Sequence, residues 1–313
     1  MANSNVSVNI DANSVMRQFE EQQTVYVPKK KNQFDVKNYL NTRLTEGESS
    51  KTMTIRLLPF SPDGGTPFKK VWIHTVKVDK EISPGGWRTF VCPIHNGFDD
   101  KCPFCETAEQ AKKMKFEAKS EVEKKKYNDI EFTNRAKEAW IVRVIERGHE
   151  EDGVKFWLFN HSRKKDGPYD KIMNLYNQRW NAGLAKGKEN NIFDINDGKD
   201  LILTVTKDSN NKTVIQVTDD DERSPLSENY EQACAWISDP KEWNTVYVAK
   251  PYDYTSIIVC GGIPVWDNDK HGWVDKTLRN AEKEEAEKKN MSENYTEQTK
   301  DYSSFKEDEP LKF

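Results

Sequence analysis

Three cysteines stand within fourteen residues, in the order Cys92-Pro93-Ile94-His95 and then Cys102-Pro103-Phe104-Cys105. A Cys-x-x-Cys turn aims two thiolates at one point, and a closed zinc site takes four nitrogen or sulfur ligands in a tetrahedron. Two histidines compete for the fourth place. His95 is nearest in sequence, whereas His74 sits in a predicted strand that the Pro84-Gly85-Gly86 turn pairs with the strand leading into Cys92. Five cysteines, an odd number with three clustered, suit metal ligation in a reducing compartment better than a disulfide framework. Cys234 and Cys260 read as ordinary buried thiols. A nucleobase-deaminase zinc site would need His-x-Glu upstream, but the histidines here read His74-Thr75-Val76 and His95-Asn96-Gly97. No Gly-x-x-x-x-Gly-Lys phosphate loop accompanies the cluster, and the expected role is one structural Zn²⁺ in a protein that is not an enzyme.

The second chemical signal is an interleaving of rings and cations between residues 87 and 180. Phe98, Tyr127, Phe132, Arg135, Lys137, Trp140, Trp157, Lys164 and Lys165 are the candidate nucleic-acid contacts. Flat rings stack on unpaired bases while Lys and Arg neutralise phosphates. In Phe156-Trp157 strand alternation sends the two rings to opposite faces, and Trp157 is the expected surface ring. The net charge of −4 conceals a split: residues 51–218 hold 30 Lys and Arg against 24 Asp and Glu, whereas 282–313 hold 6 against 10. A basic middle and an acidic end share one chain.

The elements that must position these residues are short strands between turn signals, interrupted by helical patterns near 104–127, 169–184, 227–237 and 275–290. Strands are expected at Lys70–Val78, Trp87–Val91, Trp140–Ile145, Val154–Phe159, Leu201–Lys207 and Thr213–Thr218, and also at Tyr39–Leu44, Val246–Val248 and Ser256–Val259. The class is mixed β/α, mainly β, arranged as an OB-fold-like Greek-key barrel with an inserted zinc subdomain and helical additions. The expected order is an arm with a short helix over 1–33, a core over 34–219 with the zinc subdomain at about 70–130, an additional element over 220–290 and an acidic tail over 291–313. No stretch is long and apolar enough for a membrane span, and the amino terminus has no secretion-signal pattern.

With both segments in hand, the chain resembles the helix-destabilising single-stranded-DNA-binding proteins of T-even-like bacteriophages. The likeness runs over about residues 30–220 and rests on Ile55-Arg56-Leu57-Leu58-Pro59, the His74 strand, Gly86-Trp87 leading to Cys92, the cysteine spacing, Trp140-Ile141-Val142 and Tyr169-Asp170-Lys171-Ile172. It implies DNA lying between an OB core and a zinc subdomain, with His74, Cys92, Cys102 and Cys105 as ligands. It also implies a role in phage replication, recombination and repair in the cytoplasm of the bacterial host. An RNA-binding or translational-repressor module is the alternative, because it would use the same rings and cations. The acidic, Phe-ended tail with Asp308, Glu309 and Phe313 resembles those through which single-strand binders recruit polymerase, helicase or primase. Self-association along DNA is also implied, although the family's basic arm is only loosely echoed by Lys29, Lys30 and Lys31. The Cys-x-x-His unit at 92–95 departs from the family pattern, and residues 220–280 have no visible counterpart.

Overall fold

The computed structural model describes residues 36–285 except Glu46, Pro62, Asp63, Asn210 and Asn211, so the expected amino-terminal helix and the tail residues Asp308, Glu309 and Phe313 lie outside it. Seven strands make one antiparallel sheet: β1 (Ser50–Leu58), β2 (Phe68–Lys77), β3 (Trp87–Val91), β4 (Lys137–Glu146), β5 (Lys155–Asn160), β6 (Leu201–Lys207) and β7 (Thr213–Asp219). Their order is β3-β2-β4-β1-β6-β7, with β5 on the second edge of β4. Along its first edge β4 meets β2 over Lys137–Val142 and then β1 over Arg143–Glu146. Two strands sharing one edge end to end must splay, so the sheet curls around its core. The β2–β3 hairpin turns through Gly86, whose φ of 67° is one that side-chain-bearing residues rarely adopt.

Between β3 and β4 stand α1 (Pro103–Glu117) and α2 (Glu121–Asn134), in place of the single helix expected over 104–127. The break follows from Ser120, whose hydroxyl accepts from the Glu123 backbone while Glu123 reaches back to the Ser120 N–H, a capping box that starts a new helix. After β5, Pro168 opens α3 (Pro168–Leu184), where its missing N–H costs nothing. The core inside the curl joins Ile55, Leu57, Val142, Val144, Trp157, Leu201, Leu203 and Val205 to Ile172 of α3.

Residues 220–285 form a strap that first covers the opposite face and then packs on the His74 side of β2 and β3. Helix α4 (Tyr230–Ile237) packs Ala233 and Trp236 on Leu58, Ile145 and Val154. The short α5 (Trp243–Val246) sets Trp243 on Val71, Ile73, Ala139, Ile141 and Phe156. Helix α6 (Tyr252–Val259) packs Tyr254 and Ile258 on Val76, Phe90 and Phe104. The β8 (Pro264–Asp267) and β9 (Gly272–Asp275) hairpin and a helix over 276–285 complete it. Thus 246–248 and 256–259 are not strands: Val246 ends α5, Ile257, Ile258 and Val259 belong to the last turns of α6, and Val248 is exposed in the loop between them. Only Tyr39 of the strand expected over Tyr39–Leu44 bridges to the sheet, at Phe156. Cys234 and Cys260 are exposed on the outer sides of this strap, not buried.

Arg143 of β4 and Arg147 just after the strand fasten it. Arg143, buried, donates to the carbonyls of Pro59, Trp236, Ile237 and Asp239, which closes the carboxyl end of α4. Arg147 donates to Asp200 through Nε and Nη2 and to the Leu226 carbonyl, while the buried Arg56 holds Asp200 from β1. These bonds satisfy carbonyls that burial would otherwise strand at about 1–3 kcal/mol each.

Candidate metal centre and ring-lined face

His74 comes from β2, Cys92 from the residue after β3, and Cys102 and Cys105 from the cap and first turn of α1. Their ligand atoms lie within 4.8 Å of one another, and the four residues are buried or nearly so. Cys92 Sγ is 3.6 Å from Cys105 Sγ, and His74 Nε2 lies 3.4 Å from Cys102 Sγ and 3.8 Å from Cys105 Sγ. A zinc tetrahedron with ordinary bond lengths has edges of about 3.8 Å between sulfurs and about 3.6 Å between sulfur and nitrogen. The four side chains therefore fit one metal ion with no fifth position to fill.

His74 Nδ1 meets the Asn134 carbonyl at 2.7 Å, an outer bond that turns Nε2 toward the sulfurs. Burial alone would lower the His74 pKa, but the Cys102 and Cys92 sulfurs outweigh it and raise the value to about 9. Hydrogen bonds from Cys105 and Cys92 hold Cys102 far below the usual thiol range, while Cys102 first and Cys92 second push Cys105 up. So much sulfur in so small a space demands a cation, and a divalent metal supplies more charge than an imidazolium. His95 is outside this group: it is exposed and its Nδ1 reaches two sulfurs, Cys92 at 3.1 Å and Cys105 at 3.7 Å.

His74 fixes a face of the sheet. Residues two and four before His74 on β2 are Trp72 and Lys70, and the register sets Lys70 opposite Trp140 and Trp72 opposite Glu138. From there a line of rings continues. His95 lies on Trp72 with centroids 5.1 Å apart, and Lys70 Nζ is 5.5 Å from the Trp72 centroid. Trp140 stacks on Tyr169 at 4.3 Å and 6°, and Tyr169 meets Phe68 at 5.0 Å. Phe68 contacts Phe193, which stacks on Tyr176 at 4.9 Å, and Tyr176 stacks on Trp180. Trp72, Trp140, Tyr169, Tyr176, Trp180 and Phe193 are all half-buried, so each shows part of a ring to solvent.

The expected contact residues divide. Trp140 is in the line. Phe132, 54 % exposed, carries the Arg135 guanidinium 4.6 Å and the Lys137 ammonium 4.9 Å from its ring. Burial first and Arg135 second lower the Lys137 pKa. Phe98, 42 % exposed, lies against Trp243 of α5, and Tyr127 is half-buried on α2. Lys164 and Lys165 are exposed in the loop before α3. Trp157 is a correction: it is 1 % exposed and sits inside the curl, opposite Val142. Its neighbour Phe156 faces outward, but α5 covers that side, so both faces of β5 are buried. Of the residues not selected from sequence, Trp72 and Lys70 could have been found by stepping back in twos from His74. Tyr176 and Trp180 follow Tyr169 at helical spacing on α3, a signal that packing alone would also produce.

A curled antiparallel sheet with a Cys₃His lobe at one end of a half-open line of rings defines a binding protein with a built-in metal site. The family model described as gp32 DNA binding protein like matches residues 49–257, and the chain belongs to that family. The match runs into α6, so the strap up to that point is part of the family's domain, which corrects for 220–257 the expectation that 220–280 has no counterpart. No curated protein matches the chain.

Proposed function

We propose that the protein binds single-stranded DNA with little sequence preference, and that one Zn²⁺ held by His74, Cys92, Cys102 and Cys105 pins the lobe that closes one end of the binding face. The observation that carries this reading is the row of rings from Trp72, beside Lys70, through Trp140 and Tyr169 to Trp180, most of them half-open. Bases of a single strand can stack on such rings at about 1–3 kcal/mol each, and every base has a face to offer. Paired bases already stacked in a duplex cannot reach half-buried rings. Lys70, Lys137, Arg163, Lys164 and Lys165 supply charge for phosphates, so affinity depends on salt. The zinc is structural, since three sulfurs and one nitrogen complete its tetrahedron and leave no place for a reacting water. Belonging to a DNA-binding family supports the same reading.

Within this proposal the protein protects strands exposed during phage replication, recombination and repair in the host cytoplasm, and its acidic tail recruits replication enzymes through Asp308, Glu309 and Phe313. The test is a titration with oligo(dT) followed by tryptophan fluorescence at low and high salt, with duplex DNA and matched RNA as competitors. Quenching that weakens with salt and resists duplex competition is the expected result. Absence of quenching at low salt would end the proposal, and stronger competition by RNA would replace it with the RNA-binding reading.

A further inference from the structure

The metal loop and the ring-lined face meet at one residue. Asn96 accepts from the Trp72 N–H through Oδ1 at 3.1 Å and donates through Nδ2 to the Trp72 carbonyl at 2.8 Å and the Cys92 carbonyl at 2.7 Å. The Cys92 N–H donates to the Trp72 carbonyl as well, at 3.0 Å. The loop after Cys92 thereby grips the main chain of Trp72, and it grips the side chain too. His95 lays its ring on the indole at 5.1 Å and 37°, and its Nδ1 stands 3.1 Å from Cys92 Sγ. An imidazole tethered at one nitrogen to a thiolate and resting on an indole by its face has little freedom left to turn. Trp72 itself is half-buried, sits next to the cationic Lys70 and opens the line of rings.

We propose that His95 is a positioning residue: hydrogen-bonded to the zinc-ligating sulfur of Cys92, it backs the Trp72 ring and holds it ready for the first stacked base, so that metal occupancy is read out as base-stacking competence. The proposal rests on the single-stranded-DNA reading above. His95 is neither the fourth ligand nor a DNA contact in its own right. The ring pins an indole that the metal-lobe core and Lys70 also border, and the half-open remainder of the indole is the part that meets the base. Without it Trp72 keeps its main-chain bonds to Asn96 but loses its side-chain orientation, so the ordering cost shifts to the moment of binding.

The experiment is a double-mutant cycle on the full-length, zinc-loaded protein with His95→Ala, Trp72→Ala and both together. His95→Phe serves as the conservative variant, and oligo(dT) affinity, zinc per chain and thermal midpoint are measured for each. His95→Ala is expected to retain one zinc per chain and a midpoint close to that of the parent, while affinity falls about threefold to tenfold, the range of one aromatic pair. In the Trp72→Ala background the same change should cost less than twofold. His95→Phe, which keeps a ring but no N–H, should recover part of the affinity, and stripping the zinc should then cost it less than it costs the parent. Loss of zinc in His95→Ala would make His95 a ligand and overturn the proposal. An equal loss of affinity with and without Trp72 would make it an independent DNA contact, which also overturns it. Failure of the parent protein to bind oligo(dT) would remove the functional reading itself, an outcome the parent titration separates from the others.

Discussion

The two faces of β4 have been put to opposite uses. On one, Glu138 and Trp140 lead away from the buried Val142 and Val144 toward solvent, and the rings of β2, α3 and the metal loop gather around them. On the other, Ala139, Ile141, Arg143 and Ile145 are sealed by α4 and α5. The contrast teaches that a row of half-exposed rings needs a rigid back. A ring that stacks on a ligand can give only part of its surface to packing, as Trp140 does against Tyr169, so its orientation has to be held by neighbours anchored from behind.

The comparison breaks first at β5, where both rings belong to the sealed part. Trp157→Ala or Phe156→Ala should destabilise the fold by about 3–5 kcal/mol, seen as a lower denaturant midpoint. Oligo(dT) affinity measured where the variant is still folded should change less than twofold; a selective loss of affinity with stability intact would put those rings on the binding side. Trp140→Ala should do the reverse. Binding should weaken by about 1–3 kcal/mol with little change in thermal midpoint.

A smaller effect tests how α3 is held beneath the rings. Arg179 grips Asp219 of β7 through Nε and Nη2, both at 2.7 Å, with Lys199 at 3.3 Å. Burial would raise the Asp219 pKa, but Arg179 and Lys199 outweigh it and hold it below its ordinary value. A depressed carboxyl contributes stability above its unfolded pKa of about 3.9 and loses it as pH falls through the folded value. Asp219→Asn should therefore cost about 1–2 kcal/mol at neutral pH, and the gap between parent and variant in urea melts should narrow below about pH 4. The smallest effect belongs to Lys164 and Lys165. Changing both to Ala should weaken binding alike for all sequences and reduce the slope of log affinity against log salt by up to about 1.5.

The metal centre was legible in the sequence because it is nearly local: Cys92, Cys102 and Cys105 lie on one loop and one helix start, and a single hairpin brings His74 to them. Most strands were legible for the same reason, since alternation and turn residues act over a few positions. Trp157 was not. Its face is closed by the curl of the sheet and Ile172 of α3, and the other face of β5, where Phe156 points, is covered by Trp243, supplied by a segment some eighty residues further along that itself reads as strands and unaligned tryptophans. The expected helix over 104–127 failed on a local detail, the Ser120–Glu123 capping box, which the residues do contain.

All nine tryptophans lie in the described part of the chain, so 5-fluorotryptophan labelling reports on both faces at once. In a ¹⁹F titration with oligo(dT), the Trp72 and Trp140 resonances should shift and broaden while those of Trp157 and Trp236 stay in place. Movement of Trp157 and Trp236 with Trp72 and Trp140 unchanged would contradict the account.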